Sequence, residues 1–68
     1  MKEGNLVMFK PQGIYSKWFG GHFGTIVGVS YGSDGKLYCR VKWLQSVKYE
    51  NRDVQYSNFA AERFEIYK

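Results

Sequence analysis

The sequence predicts an all-β fold, and three observations carry that expectation. Apolar and polar residues alternate with period two in several short runs, helical periodicity is nearly absent, and turn-forming residues separate the runs. The clearest run is Leu37-Tyr38-Cys39-Arg40-Val41-Lys42-Trp43. There Leu37, Cys39, Val41 and Trp43 are expected to face a core while Tyr38, Arg40 and Lys42 face outward.

Taken in order, the first expected strand is Asn5 to Phe9, stopped by Pro11, which has no N–H to give to a ladder. From Lys10 to Phe23 the chain is rich in glycine and aromatics without periodicity, so a long loop is expected; loops of that length tend to be functional. Thr25 to Tyr31 is rich in β-branched residues and reads as a second strand. Gly32-Ser33-Asp34-Gly35 then predicts a hairpin with a type I′ turn, leading into the Leu37–Trp43 strand. Gln45 to Asp53 reads as a polar connection, followed by a short strand near Val54 to Tyr56. Ser57-Asn58-Phe59-Ala60-Ala61 predicts one helical turn, with Ser57 or Asn58 as its N-cap. The last run, Arg63-Phe64-Glu65-Ile66-Tyr67, alternates again, with Phe64 and Ile66 expected inward. Five short strands with one helical turn before the last is the plan of an SH3-like small barrel, here a single domain over residues 1–68.

The chain has 68 residues, enough for one domain, and such domains bury only about 60% of the surface their unfolded chain exposes. The single cysteine, Cys39, forms no internal disulfide, and one Cys with one His falls short of a structural zinc site. The core must therefore come from branched and aromatic side chains, and thirteen Phe, Tyr and Trp residues supply it. No cofactor or metal is expected. A lone cysteine suits a reducing compartment, and no stretch reaches the ~20 apolar residues of a membrane span. No secretory signal opens the chain, so it reads as soluble, complete and cytoplasmic.

The function classes narrow by the same reasoning. Cys39 falls on the inward face of its strand, His22 lies in a glycine loop, and the carboxylates fall singly, so no catalytic pair or small-molecule substrate is expected. Gly20-Gly21-His22-Phe23-Gly24 lacks the Lys-Ser/Thr and the following helix of a phosphate loop; its glycines are expected to admit unusual φ values into the second strand. The formal charge of +4 favours acidic partners. Tyr15, Lys17, Trp18 and Phe19 combine aromatic surface with positive charge in the long loop, the material of binding hot spots. Trp18 and Phe19 have the alternative of folding back over the barrel end. His22 is a further loop candidate, and outward-facing Arg40 and Lys42, with Lys36 and Lys10, are candidates for a basic face.

Four segments carry a resemblance: Leu6-Val7-Met8-Phe9-Lys10-Pro11, Trp18-Phe19, Gly24-Thr25-Ile26-Val27 and Ser57-Asn58-Phe59-Ala60-Ala61-Glu62. Together they resemble the PsaE family of photosystem I, in which a strand ends in Arg-Pro, a Tyr-Trp-Phe loop follows, and an Asn-Asn-Phe-Ala-Glu turn precedes the last strand. The resemblance implies a basic SH3-like barrel without cofactor, on the cytoplasmic side of a membrane complex, that helps dock acidic proteins. Val7 and Met8 stand where that family has arginines, Lys10 keeps only the charge beside the proline, and the loop to Gly24 is longer. The chain is similar also to small phage-encoded SH3-like proteins, which would place it in a host cytoplasm. The expected function is a non-catalytic interaction module for an acidic protein partner or larger complex, through Lys10, Tyr15, Lys17, Trp18, Phe19, His22, Arg40 and Lys42. A nucleic-acid-binding barrel of the KOW or Tudor kind is the alternative, and a small structural component of a larger assembly is the third.

Overall fold

The computed structural model describes residues 1–67 and contains one five-stranded antiparallel sheet in the order β4-β3-β2-β1-β5. The strands are β1 (Leu6–Phe9), β2 (Phe23–Tyr31), β3 (Leu37–Tyr49), β4 (Arg52–Ala60) and β5 (Phe64–Tyr67). A one-turn helix α1 (Ser16–Phe19) interrupts the β1–β2 connection, and a 3₁₀ turn (Ala61–Arg63) precedes β5. The all-β class, the strand count and the helical turn before the last strand agree with the sequence. β4 and β5 lie at opposite edges of the sheet, yet only Ala61–Arg63 joins them. Ala60 and Phe64 lie four Cα steps apart, at most about 14 Å, so the sheet curls enough to bring the end of β4 toward the start of β5.

Several boundaries differ from expectation. The segment from Gln45 to Asp53 is no loop: β3 continues to Tyr49, β4 begins at Arg52, and the two pair Tyr49↔Arg52 and Lys48↔Asp53. Glu50 (φ 47°) and Asn51 (φ 65°) make the two-residue turn, with both residues left-handed as a type I′ hairpin requires. A helical turn at Ser57–Ala61 does not form. β4 runs through those residues to Ala60, because Ser57, Asn58 and Phe59 pair with Val41, Arg40 and Cys39; a ladder partner outcompetes a local cap. The expected type I′ turn at Asp34-Gly35 is also absent, since only Gly35 takes a positive φ, 79°. The Gly35 N–H donates to the Gly32 carbonyl and the Gly32 N–H to that of Lys36, a longer loop with glycine in the left-handed position.

Among the described residues nine form the buried core: Val7 and Phe9 from β1, Phe19 from α1, Ile26 from β2, Cys39, Val41, Trp43 and Val47 from β3, and Phe64 from β5. Phe9 sits at the centre, its ring 4.8 Å from Phe59 and 5.4 Å from Phe64, both edge-on, and 5.9 Å from Phe19. Edge-to-face contacts of this kind add to the area that aromatics bury. β2 crosses β3 so closely at Gly24 that a Cβ there would stand 2.4 Å from Val41 Cγ1 and 2.9 Å from the Lys42 carbonyl oxygen. Ile66, expected inward, is 46% exposed, because β5 is an edge strand and the core ends at Phe64.

Candidate partner-binding surface

Alternation along β3 divides two regions. Cys39, Val41 and Trp43 point to the core that α1 covers, so Tyr38, Arg40 and Lys42 point to the opposite, outer face. Pairing places Ala60, Asn58 and Tyr56 of β4 opposite Tyr38, Arg40 and Lys42. Arg40 lies over the Tyr56 ring at 5.2 Å, a cation–π contact across the strands.

The outer face runs on toward the 3₁₀ turn. Lys10, Gln12, Glu62 and Arg63 line one shallow depression there. A neighbouring one of about 320 Å³ is walled by Tyr15, Lys36, Tyr38, Asn58, Phe59, Ala60, Glu62 and Arg63. The Lys10 N–H donates to the Arg63 carbonyl at 2.8 Å, which ties the β1–β2 connection to this end. Arg63 lies against Gly13, where a Cβ would come within 2.6 Å of Nη1. The strip thus gathers Lys10, Lys36, Arg40, Lys42 and Arg63 with Tyr15, Tyr38 and Tyr56. Among the described residues the one ion pair is Lys36–Glu62, at 3.7 Å and well exposed, a geometry that contributes little.

Asp34 organises the loop end of this strip. Its carboxylate accepts from the Lys36 N–H at 3.0 Å and the Tyr38 hydroxyl at 2.8 Å, which hold it below the usual carboxylate range. The same bond, with the negative charge beside it, holds the Tyr38 phenol above its ordinary value.

The other sequence candidates lie around α1. Phe19 is 3% exposed, stacked on Trp43 at 5.4 Å, and so is core with no surface to offer. Trp18 is half-buried, edge-on to Tyr49 at 4.7 Å, and Lys17 Nζ stands 4.3 Å from its ring centroid. Burial, then the nearby Glu50, raises the Tyr49 phenol. Tyr15 joins the two regions: it packs on Trp18 and Phe59 and also lines the depression beside Arg63. His22 is half-buried, its ring 6.4 Å from Trp43. Cys39 is fully buried, its thiol donating to Met1 Sδ at 3.3 Å, and burial pushes its pKa up, away from a nucleophile's thiolate.

Lys10, Lys36, Arg40 and Lys42 are the sequence candidates for a basic face. Alternation puts Arg40 and Lys42 on one side of β3, while Lys10 and Lys36 approach it at the 3₁₀ turn, where each lines a depression with Glu62 and Arg63. The sequence does not point to Tyr38, Tyr56 and Arg63 as members of that face. Tyr38 is legible as outward-facing, but Tyr56 and Arg63 join only through the β3–β4 register and the 3₁₀ turn. Together these features define a single-sheet all-β domain with a basic, tyrosine-bearing outer face. Set against protein-family models, curated proteins and solved structures, the chain matches none.

Proposed function

We propose that this chain is a non-catalytic SH3-like barrel that docks an acidic segment of a protein partner on its basic outer face. The carrying observation is the gathering of Lys10, Lys36, Arg40, Lys42 and Arg63 beside Tyr15, Tyr38 and Tyr56; among the described residues a carboxylate engages only Lys36. Aromatic and arginine side chains next to a depression are the anchors that interfaces use, and the uncompensated cations steer an acidic partner. The resemblance to the PsaE family points the same way, toward an accessory protein that holds acidic proteins against a larger complex. A host-directed phage protein would use the same surface.

Exposed tyrosines beside cations also suit stacked bases, which keeps nucleic acid as the second reading. Asp34 and Glu62 at one end of the strip repel phosphates and acidic side chains alike, so they do not separate the two readings. The deciding experiment titrates the ¹⁵N-labelled protein with a glutamate-rich peptide and, separately, with a single-stranded oligonucleotide. Peptide-induced shifts centred on Tyr38, Arg40 and Lys42, lost in Arg40→Glu/Lys42→Glu, support the proposal. Tighter oligonucleotide binding that falls steeply with salt replaces it with the nucleic-acid reading.

A further inference from the structure

The second half of β2 has one partnered side and one bare side. Up to Ile26 the strand is covered by β1 and its lead-in: Thr25 pairs with Leu6, the Ile26 N–H donates to the Asn5 carbonyl, and the Gly4 N–H to that of Ile26. Val27 is then an extra residue, since Ile26 pairs with Val41 and Gly28 with Arg40. Such a bulge bends a strand, and beyond it no β1 residue faces β2. The Gly32 N–H points to β3, bonding Lys36, so antiparallel alternation turns the backbone N–H and C=O of Tyr31 and Val29 the other way. No backbone hydrogen bond among the described residues reaches either from that side. Val27, Val29 and Tyr31 are 38%, 42% and 77% exposed.

Edges of this kind are ordinarily blunted by charge, proline or brevity. β5 is four residues long with Glu65, and β4 carries Arg52 and Asp53 at its start, with Val54–Ala60 uncharged beyond them. The β2 edge has no charged residue at either end, since no Lys, Arg, Asp or Glu occurs from Trp18 through Ser33. On a chain of net charge +4, an acidic partner gains most on the basic face. A second copy, equally cationic, meets no charged side chain of β2 along this stretch. A nearby charge is the Met1 amino group, whose field reaches Cys39, the β3 partner of Val29. An antiparallel strand is also self-complementary about a two-fold axis through Ser30, setting Val29 against Tyr31 of the second copy and Tyr31 against its Val29, each pair exchanging two hydrogen bonds.

We propose that the free edge of β2, Val27–Tyr31, is a self-association site at which two copies of this chain pair antiparallel across a two-fold axis. The contact is short and so belongs to the weak, reversible class of interfaces. It closes on itself, giving a dimer and no larger species, and it leaves the basic face of both copies open.

Sedimentation equilibrium from about 10 µM to about 1 mM tests this range of weak contacts. The mass should rise toward that of a dimer, and the Val29 and Tyr31 amides should gain hydrogen-exchange protection with concentration. Val29→Lys should raise the dissociation constant about tenfold or more, the effect of about 1.4 kcal/mol. Val29→Pro removes the outward N–H, which β3 does not use, and serves as a second variant should lysine perturb the strand. A monomer throughout the range, unaltered association in a folded variant, or growth past the dimer would each overturn the proposal. Protection of both amides in the dilute monomer would overturn it too, because the edge would then be covered.

Discussion

The α1 end of the molecule and the outer face of β3–β4 both combine aromatics with positive charge, yet they do different work. At α1, Phe19 is buried against Trp43, Trp18 lies on Tyr49, and Lys17 is spent on the Trp18 ring. On the outer face, among the described residues, Tyr38 and Tyr56 pack on no other ring, Arg40 stands over Tyr56, and Lys10, Arg40, Lys42 and Arg63 have no carboxylate within bonding distance. Aromatic-plus-basic composition therefore does not mark a binding surface by itself. What separates the two regions is whether the rings' faces are already occupied by other rings, and the alternation of β3 decides that for its own residues.

The largest way to break this comparison is through the core. Phe9→Ala empties the centre of the aromatic cluster and should cost about 4 kcal/mol, most of the stability of a small domain. Loss of the cooperative thermal transition and of near-ultraviolet circular dichroism would report it. Trp18→Ala should cost about 2 kcal/mol, since the ring is only half-buried but loses its contacts to Tyr49 and Tyr15. It should leave docking of a glutamate-rich peptide unchanged. An unaltered melting temperature with lost docking would move the binding surface to α1.

Arg40→Glu/Lys42→Glu should do the reverse, changing the unfolding free energy by no more than about 0.5 kcal/mol while weakening peptide docking by about 2 kcal/mol. A melting temperature that drops with it would mean the strip is structural. At the tip of the same hairpin, Glu50→Asn should raise stability by about 0.5 kcal/mol, because asparagine tolerates the left-handed conformation that glutamate holds there. Denaturant unfolding of this variant tests the type I′ assignment directly.

The smallest effect is electrostatic and local. Asp34 is held low, so its contribution to stability is complete above the ordinary carboxylate pKa and fades as pH falls through the lowered value, below about pH 4. Tyr38 is held high by the same bond, so its contribution is complete below the ordinary tyrosine value and is lost as pH rises through the raised one. Asp34→Asn should bring the Tyr38 titration back down, read by ultraviolet difference spectroscopy. An unmoved titration would show that the Asp34–Tyr38 bond does not persist in solution.

The strand class and the core were largely legible in the chain. Period-two alternation identified Cys39, Val41 and Trp43 as inward and Tyr38, Arg40 and Lys42 as outward, because successive side chains of a strand must point to opposite faces. Phe64 and the lone thiol followed from the same rule and from volume. The alternation failed where a strand lacks a neighbour on one side, as at Ile66, and where a ladder partner overrode local turn chemistry, as at Ser57–Ala60. The Glu50-Asn51 turn carried no glycine and so gave no signal; long pairing on both sides holds glutamate in a conformation it does not prefer.

By itself, the sequence determined that the chain is all-β, that its core is aromatic, and that its formal charge is positive. These are properties of composition and of the two-residue period, and both act locally. Only the tertiary structure decided which cations share a face, that Phe19 is spent on the core, and that half of β2 is left with a bare edge. Those depend on register, on the Val27 bulge and on the three-residue link between the outer strands, and such long-range pairings have no local signature to read.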